Sequence, residues 1–214
     1  MEEGKPLIFA FSGKFGVGKT TAANAVENML RVFYPDAICH RQSFATPLRD
    51  VLFVLTGVPP ENTRSADDKA RSLGPQWGDM TIGQALQRLG TDAIRKNFHP
   101  DTWVNAAMLG CDSEDKNASR SVWIFDDARF KNEAEALRER GALIVRIERP
   151  TTAESSDTSG RSAQHQSEVD LDDYEHFSAV VVNTGTQEEF EQSVLDIVSP
   201  SLKPLEWCKE VMLG

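Results

Sequence analysis

Gly13, Gly18, Lys19 and Thr20, within the run Ser12–Thr21 (SGKFGVGKTT), have the spacing G-x-x-x-x-G-K-[ST]. Glycines at those intervals let successive backbone N–H groups turn inward around phosphate oxygens with no side chain in the way. Gly13, Lys14, Gly16, Val17 and Gly18 are therefore read as a phosphate cradle, and Lys19 as a mobile cation for the β- and γ-phosphates. The helix opens on Lys19 with its positive end facing the anion, Thr20 and Thr21 follow in its first turn, and the Thr20 hydroxyl is placed to complete the shell of a magnesium ion bridging the phosphates. The competing dinucleotide fingerprint fails at its third glycine, because Gly16-Val17-Gly18 is followed by Lys19-Thr20-Thr21.

The second chemical feature is acidic. An apolar run, Ser121 to Phe125, ends in Asp126-Asp127 with Arg129 two residues on. A phosphate-loop enzyme needs a carboxylate at the tip of a neighbouring strand to hold magnesium or its water beside the γ-phosphate. An aspartate that merely caps a turn is the plainer reading of the same residues. A third feature is the stripe Gln84, Arg88, Thr91 and Arg95, where guanidinium forks can grip a phosphate and where a solvated helix face is the alternative.

These residues require particular elements to carry them. Leu7 to Phe11 reads as a buried parallel strand, and Ala22, Val26, Met29, Leu30 and Phe33 give the following helix a packed face. Ala37 to Phe44 reads as a second strand, and Pro47 opens a helix with Leu48, Val51, Leu52 and Leu55 inward. Gly57 to Met80, with adjacent prolines and a Gly-Pro pair, reads as a mobile insertion or lid. Thr81 and Gln84 form a capping box for a helix running past Ala93. Asp101 is a natural N-cap for a helix through Met108, in which Trp103 either fills the core or stacks on a base. Asn132, with Glu135 three positions on, is read as the cap of the helix after Arg129. Ala142 to Glu148 is a further strand delivering Arg149, and Thr151 to Gln166 is a polar segment, with Arg161, suited to folding over phosphates. Ser178 to Val182 is the last strand, followed by Asn183-Thr184-Gly185 and a helix capped by Thr186.

With 214 residues and 40% hydrophobic content, the chain fits one α/β domain with an insertion. No stretch reads as a signal peptide or membrane span, so a soluble cytoplasmic protein is expected. Cys39, Cys111 and Cys208 are odd in number and far apart, unlike a disulfide framework or zinc site. The net charge of −10 disfavours adhesion to a nucleic-acid backbone and suits a small nucleotide with magnesium better.

The chain resembles the bacteriophage-type deoxynucleoside monophosphate kinases, a branch of the phosphate-loop NMP kinases, over about residues 7 to 198. The resemblance rests on Ser12 through Thr21, Ser43-Phe44-Ala45 with Pro47-Leu48, Leu86 through Thr91, and Asp101 with Trp103-Val104. It continues in Asp127-Ala128-Arg129-Phe130 with Asn132-Glu133-Ala134, Arg149-Pro150, His165 with Ser167-Glu168, and Asn183 with Gly185-Thr186. It implies a three-layer α/β sandwich around a parallel sheet, with a core of about 5–45 and 121–198. A helical monophosphate-binding insertion of about 46–112 and a lid of about 150–168 complete the domain, and 199–214 form an extension that packs back or meets a second copy.

The implied reaction is transfer of the γ-phosphoryl group of ATP to a deoxynucleoside monophosphate, with Mg2+. Lys19 would neutralise the transferring group, Thr20 and Asp127 would serve the metal, with Asp126 the alternative, and Arg129 would reach a substrate or donor phosphate. Ser43, Phe44, Gln84, Arg88 and Trp103 would bind the monophosphate, Arg149 and Arg161 would serve the lid, and Asn183, Thr184 and Gly185 the adenine. A related kinase of another small molecule or of hydroxymethylated DNA bases, and a nucleotide-binding module without turnover, are the competing readings. Asp127 and Arg129 beside an intact Lys19 favour an enzyme.

Overall fold

The computed structural model describes residues 6–109, 111–112, 120–150 and 169–202. Five parallel strands form one sheet in the order β2-β3-β1-β4-β5: β1 (Leu7–Ser12), β2 (Ile38–Gln42), β3 (Ser121–Ala128), β4 (Leu143–Glu148) and β5 (Ala179–Val182). All strands point the same way, so their carboxyl ends share one edge, the place where open α/β sheets bind ligands. β1 lies in the middle, with Ser12 opposite Ala128 of β3 and Arg146 of β4.

Strand alternation divides the core. Phe9, Phe11, Ile124, Val145 and Ile147 face α1 (Lys19–Phe33) and the last helix, Gln187–Leu202, which contributes Phe190, Val194, Val198 and Leu202. Ile8, Ala10, Phe125 and Ile144 face the opposite layer, with Val104, Met108, Ala134 and Leu137. A third, separate cluster of Leu52, Ile82, Ala85 and Leu86 holds the insertion together. This is the expected three-layer α/β sandwich. Among the described residues no helix is long and apolar enough to cross a membrane.

Several elements differ from the sequence reading. Residues 57–80, read from sequence as a mobile insertion or lid, contain three short helical turns: Pro60–Thr63, α3 (Ala66–Ala70) and Pro75–Trp77. Prolines start two of these turns, Ser65 and Asp68 cap the third reciprocally, and a Ser72–Thr81 bridge closes the segment against α4 (Ile82–Gln87). Beyond α4 the helix widens into a π-helix over Arg88–Arg95, where the Gly90 carbonyl is drawn outward to accept the Trp103 indole N–H at 2.9 Å.

α2 spans Thr46–Thr56, one residue longer at its start than Pro47 suggests. α5 (Thr102–Met108) has Asp101 at its N-cap, yet the Asp101 carboxylate caps nothing and instead accepts from Asn132. Asn132 is therefore not the cap of α6 (Lys131–Glu139). Phe130 holds that position, and Glu133 reaches back to its N–H. The last helix, α7 (Gln187–Leu202), runs through Pro200, so residues 199–202 belong to it. The lid segment with Arg161, and residues 203–214, lie outside the described residues.

Candidate active site

The loop after β1 folds as its glycines dictate. Gly13, Gly16 and Gly18 have φ of 146°, 75° and 111°, left-handed values that side chains resist. A Cβ on Gly13 would lie 2.4 Å from the Ile147 carbonyl oxygen and 2.7 Å from a Val17 methyl. Gly18 caps α1, so Lys19 and Thr20 occupy its first turn. The Lys19 ammonium is buried and donates to the carbonyls of Gly13 (2.7 Å) and Lys14 (2.6 Å), folded over the concave side of its own loop. Thr20 is exposed and Thr21 half-buried. Behind the loop, the Asn183 amide donates to the Val17 carbonyl at 2.9 Å and buttresses it. Thr184 and Gly185 are exposed beside it. Asp172 pairs with both Lys14 (3.1 Å) and Arg146 (3.1 Å), which binds the chain after residue 168 to the loop and to β4.

The two aspartates at the end of β3 point to opposite layers. Asp126 pairs through Oδ2 with Arg41 at 2.7 Å, and Arg41 also reaches Asn24 and Glu27 of α1, so Asp126 lies on the α1 face. Burial and then the neighbouring Asp127 charge raise its carboxyl above the ordinary range, against the pull of Arg41. Asp127 faces the other way. Its oxygens accept from the Ser43 hydroxyl (2.5 Å) and from the backbone N–H groups of Phe44 (2.9 Å) and Ala45 (3.0 Å). Asp127 therefore fixes the turn between β2 and α2.

That turn forms one wall of a cleft on the α5/α6 face, enclosing about 720 Å³ with its open mouth included. Phe44, Leu48 and Arg49 come from the β2–α2 side, Gln87, Gly90, Thr91 and Arg95 from α4 and the π-helix, Trp103 from α5, and Arg129 and Glu133 from the β3–α6 turn. Trp103 is both core and lining: it is buried, and its only polar atom is taken by Gly90. A Cβ at Gly90 would lie 2.8 Å from a Leu48 methyl, so a side chain there would displace Leu48 in the cleft wall.

Glu133 is fully buried. It forms an ion pair with Arg95 and accepts the N–H groups of Arg129 (2.8 Å) and Phe130 (3.1 Å), while the Arg95 guanidinium stacks 3.9 Å above the Phe130 ring. Burial is the main influence on Glu133 and pushes its carboxyl up to about 7. Arg49 is held below its usual value by burial first, with Arg64 and Arg129 adding repulsion and Asp127 opposing it. Two donors in this cleft, Arg49 Nε and Gln87 Nε2, are buried with no hydrogen-bond partner.

Of the monophosphate-site residues expected from sequence, Phe44 and Trp103 line the cleft, and Ser43 supports it through Asp127. Gln84 and Arg88 do not line it. The Gln84 amide oxygen accepts the Thr81 N–H in the capping box, and Arg88 is exposed. Arg149 is exposed at the end of β4. Sequence reasoning missed Arg49, Gln87 and Glu133. Thr91 and Arg95 of the expected stripe do line the cleft, and Gln87, four residues before Thr91, joins them. Arg49 precedes the inward Leu52 by three residues, and an arginine on an apolar helix face was the available signal.

Among the described residues no three His, Cys, Asp or Glu side chains could hold a metal by themselves. A magnesium ion bound through phosphate oxygens needs only one or two protein ligands. The exposed Thr20 hydroxyl and an acidic strand end fit that requirement.

A glycine cradle feeding a helix at the edge of a parallel sheet, with an acidic strand tip and a second basic cleft beside it, defines a P-loop kinase. The deoxynucleotide monophosphate kinase family model matches residues 61–194. The chain is 31% identical over 206 residues to a putative deoxynucleotide monophosphate kinase of Acanthamoeba polyphaga mimivirus, covering 90% of this chain and 95% of that protein. It is 31% identical over 123 residues to the deoxynucleotide monophosphate kinase of Enterobacteria phage T4, covering 57% of this chain and 46% of the relative. A third relative, the deoxynucleoside-5'-monophosphate kinase of Escherichia phage T5, is 22% identical over 188 residues, 64% of this chain and 74% of its own. The chain belongs to the deoxynucleotide monophosphate kinase family and is an ATP-dependent kinase that transfers a phosphoryl group to a nucleotide.

Proposed function

We propose that the loop Gly13–Thr20 holds ATP with magnesium and that the cleft on the α5/α6 face holds the deoxynucleoside monophosphate. The observation that carries this is the charge of the cleft. In a chain of net charge −10, its lining brings Arg49, Lys69, Arg95 and Arg129 together with only two carboxylates, Asp127 and Glu133. Four cations against two anions leaves an excess of two positive charges, the complement of a phosphate monoester dianion. The acceptor phosphate oxygen attacks the γ-phosphorus, the bond from the γ-phosphorus to the β,γ-bridging oxygen breaks, and ADP and a deoxynucleoside diphosphate leave.

A phosphate dianion is already a nucleophile, so no general base is needed, and catalysis is in-line positioning with charge neutralisation. Lys19 neutralises the transferring group after leaving the Gly13 and Lys14 carbonyls. Arg129 stands where the cleft meets the strand tips and aligns the acceptor phosphate with the donor. Thr20 and Asp126 would hold magnesium, which when bound neutralises charge on the donor phosphates. Asp126 suits this better than Asp127, because it lies on the α1 face while both Asp127 oxygens are committed to the β2–α2 turn. Asn183 sets the donor side of the loop. The test is ADP release from ATP and magnesium with each of dAMP, dCMP, dGMP and dTMP, with diphosphate product resolved by chromatography. ADP release that no monophosphate accelerates, in protein that still binds ATP, would overturn the assignment.

A further inference from the structure

We propose that Gln87 reads the base of the bound deoxynucleotide, its side-chain amide pairing with the polar edge of the ring. This rests on the reading of the cleft as the acceptor site. A buried amide N–H without an acceptor is disfavoured in a folded protein, and the few that occur mark places where something else binds. Gln87 Nε2 is such a group. The lining of the same cleft includes apolar surface, from Phe44, Leu48, Leu86 and the Trp103 indole, whose N–H is already satisfied by Gly90. Apolar surface together with an unsatisfied amide complements a heterocycle, whose faces are apolar and whose edge forms hydrogen bonds.

The other unpartnered donor, Arg49 Nε, marks the phosphate end. Its guanidinium reaches the Ser43 hydroxyl at 3.4 Å, beside the carboxylate of Asp127 at the strand tips. Phosphate-binding and base-binding groups thus come from different helices, α2 and α4. Gln84, three residues earlier, does not line the cleft, and its amide oxygen closes the capping box with Thr81.

The test compares Gln87→Met, Gln87→Glu and Arg49→Met. It uses the KM for each of the four deoxynucleoside monophosphates, the KM for ATP, and the Ki of 2-deoxyribose 5-phosphate, an acceptor fragment with no base. Gln87→Met is expected to raise the KM of accepted monophosphates about tenfold to a hundredfold, leaving the Ki of the fragment and the KM of ATP within twofold. Gln87→Glu presents two acceptors and no donor, so it is expected to favour dGMP, whose edge offers adjacent N–H donors, over dAMP by at least about tenfold relative to wild type. Arg49→Met is expected to raise the fragment Ki and every monophosphate KM alike.

If Gln87→Met leaves every KM unchanged, or raises the fragment Ki as much as the KM, Gln87 does not read the base and the proposal falls while the acceptor site stands. If Arg49→Met also changes nothing, the acceptor-site reading falls with it.

Discussion

Arg95 and Glu133, 38 residues apart in the chain, meet as a buried ion pair that joins the π-helix of the insertion to the first turn of α6, just after the β3 end that carries Asp127. Removing one partner strands the other in a low-dielectric interior. Glu133→Ala is therefore expected to lower the stability of the protein by about 3–5 kcal/mol, read as the shift in urea unfolding. A loss below about 1 kcal/mol would show that the pair contributes little to holding insertion and core together.

The same carboxyl sets a pH dependence. Its folded value, raised by burial to about 7, exceeds the ordinary value of 4.5, so its contribution to stability is complete below about pH 4.5 and is lost as the pH rises through about 7. Between those limits wild type is expected to lose roughly 3 kcal/mol relative to Glu133→Gln, which does not titrate. A difference between the two proteins that is flat from pH 4.5 to 7.5 would mean that Arg95 outweighs burial.

The Lys19 ammonium donates to the Gly13 and Lys14 carbonyls of its own loop, and replacing it removes the charge needed at transfer. Lys19→Met is expected to lower kcat by about 10³-fold or more, with the thermal midpoint within a few degrees of wild type. Retained turnover would remove the ammonium from the mechanism.

Asp126 and Asp127 should separate kinetically, because one faces α1 and the other ties down the β2–α2 turn. Asp126→Asn is expected to raise the magnesium concentration needed for half-maximal rate about tenfold or more, with little effect on the KM of the monophosphate. Asp127→Asn is expected to do the reverse, since Ser43, Phe44 and Ala45 lose a charged acceptor. The opposite pattern would return the metal to Asp127.

The phosphate loop and the order of strands and helices were legible in the sequence because they depend on local rules: glycine conformation, apolar runs and capping residues. The second site was only half legible. Of the stripe Gln84, Arg88, Thr91 and Arg95, the last two line the cleft, whereas Gln84 closes a capping box and Arg88 is exposed, and Gln87 takes part in their place next to a π-helical turn that 3.6 residues per turn does not anticipate. Glu133 sat inside a recognisable motif, yet its role depends on an arginine 38 residues away, a pairing that periodicity does not show. The same limit applies to Asn132, which resembles a cap until Asp101 and Pro100 engage its amide.

The glycine loop grows out of the central strand, held by a neighbour on each side, while the far wall of the cleft is built from helices with an apolar centre of their own, Leu52, Ile82, Ala85 and Leu86. On the proposed assignment one reactant rests on an anvil and the other on a separately built arm, so substitutions in that small centre should disturb the arm before they disturb the anvil.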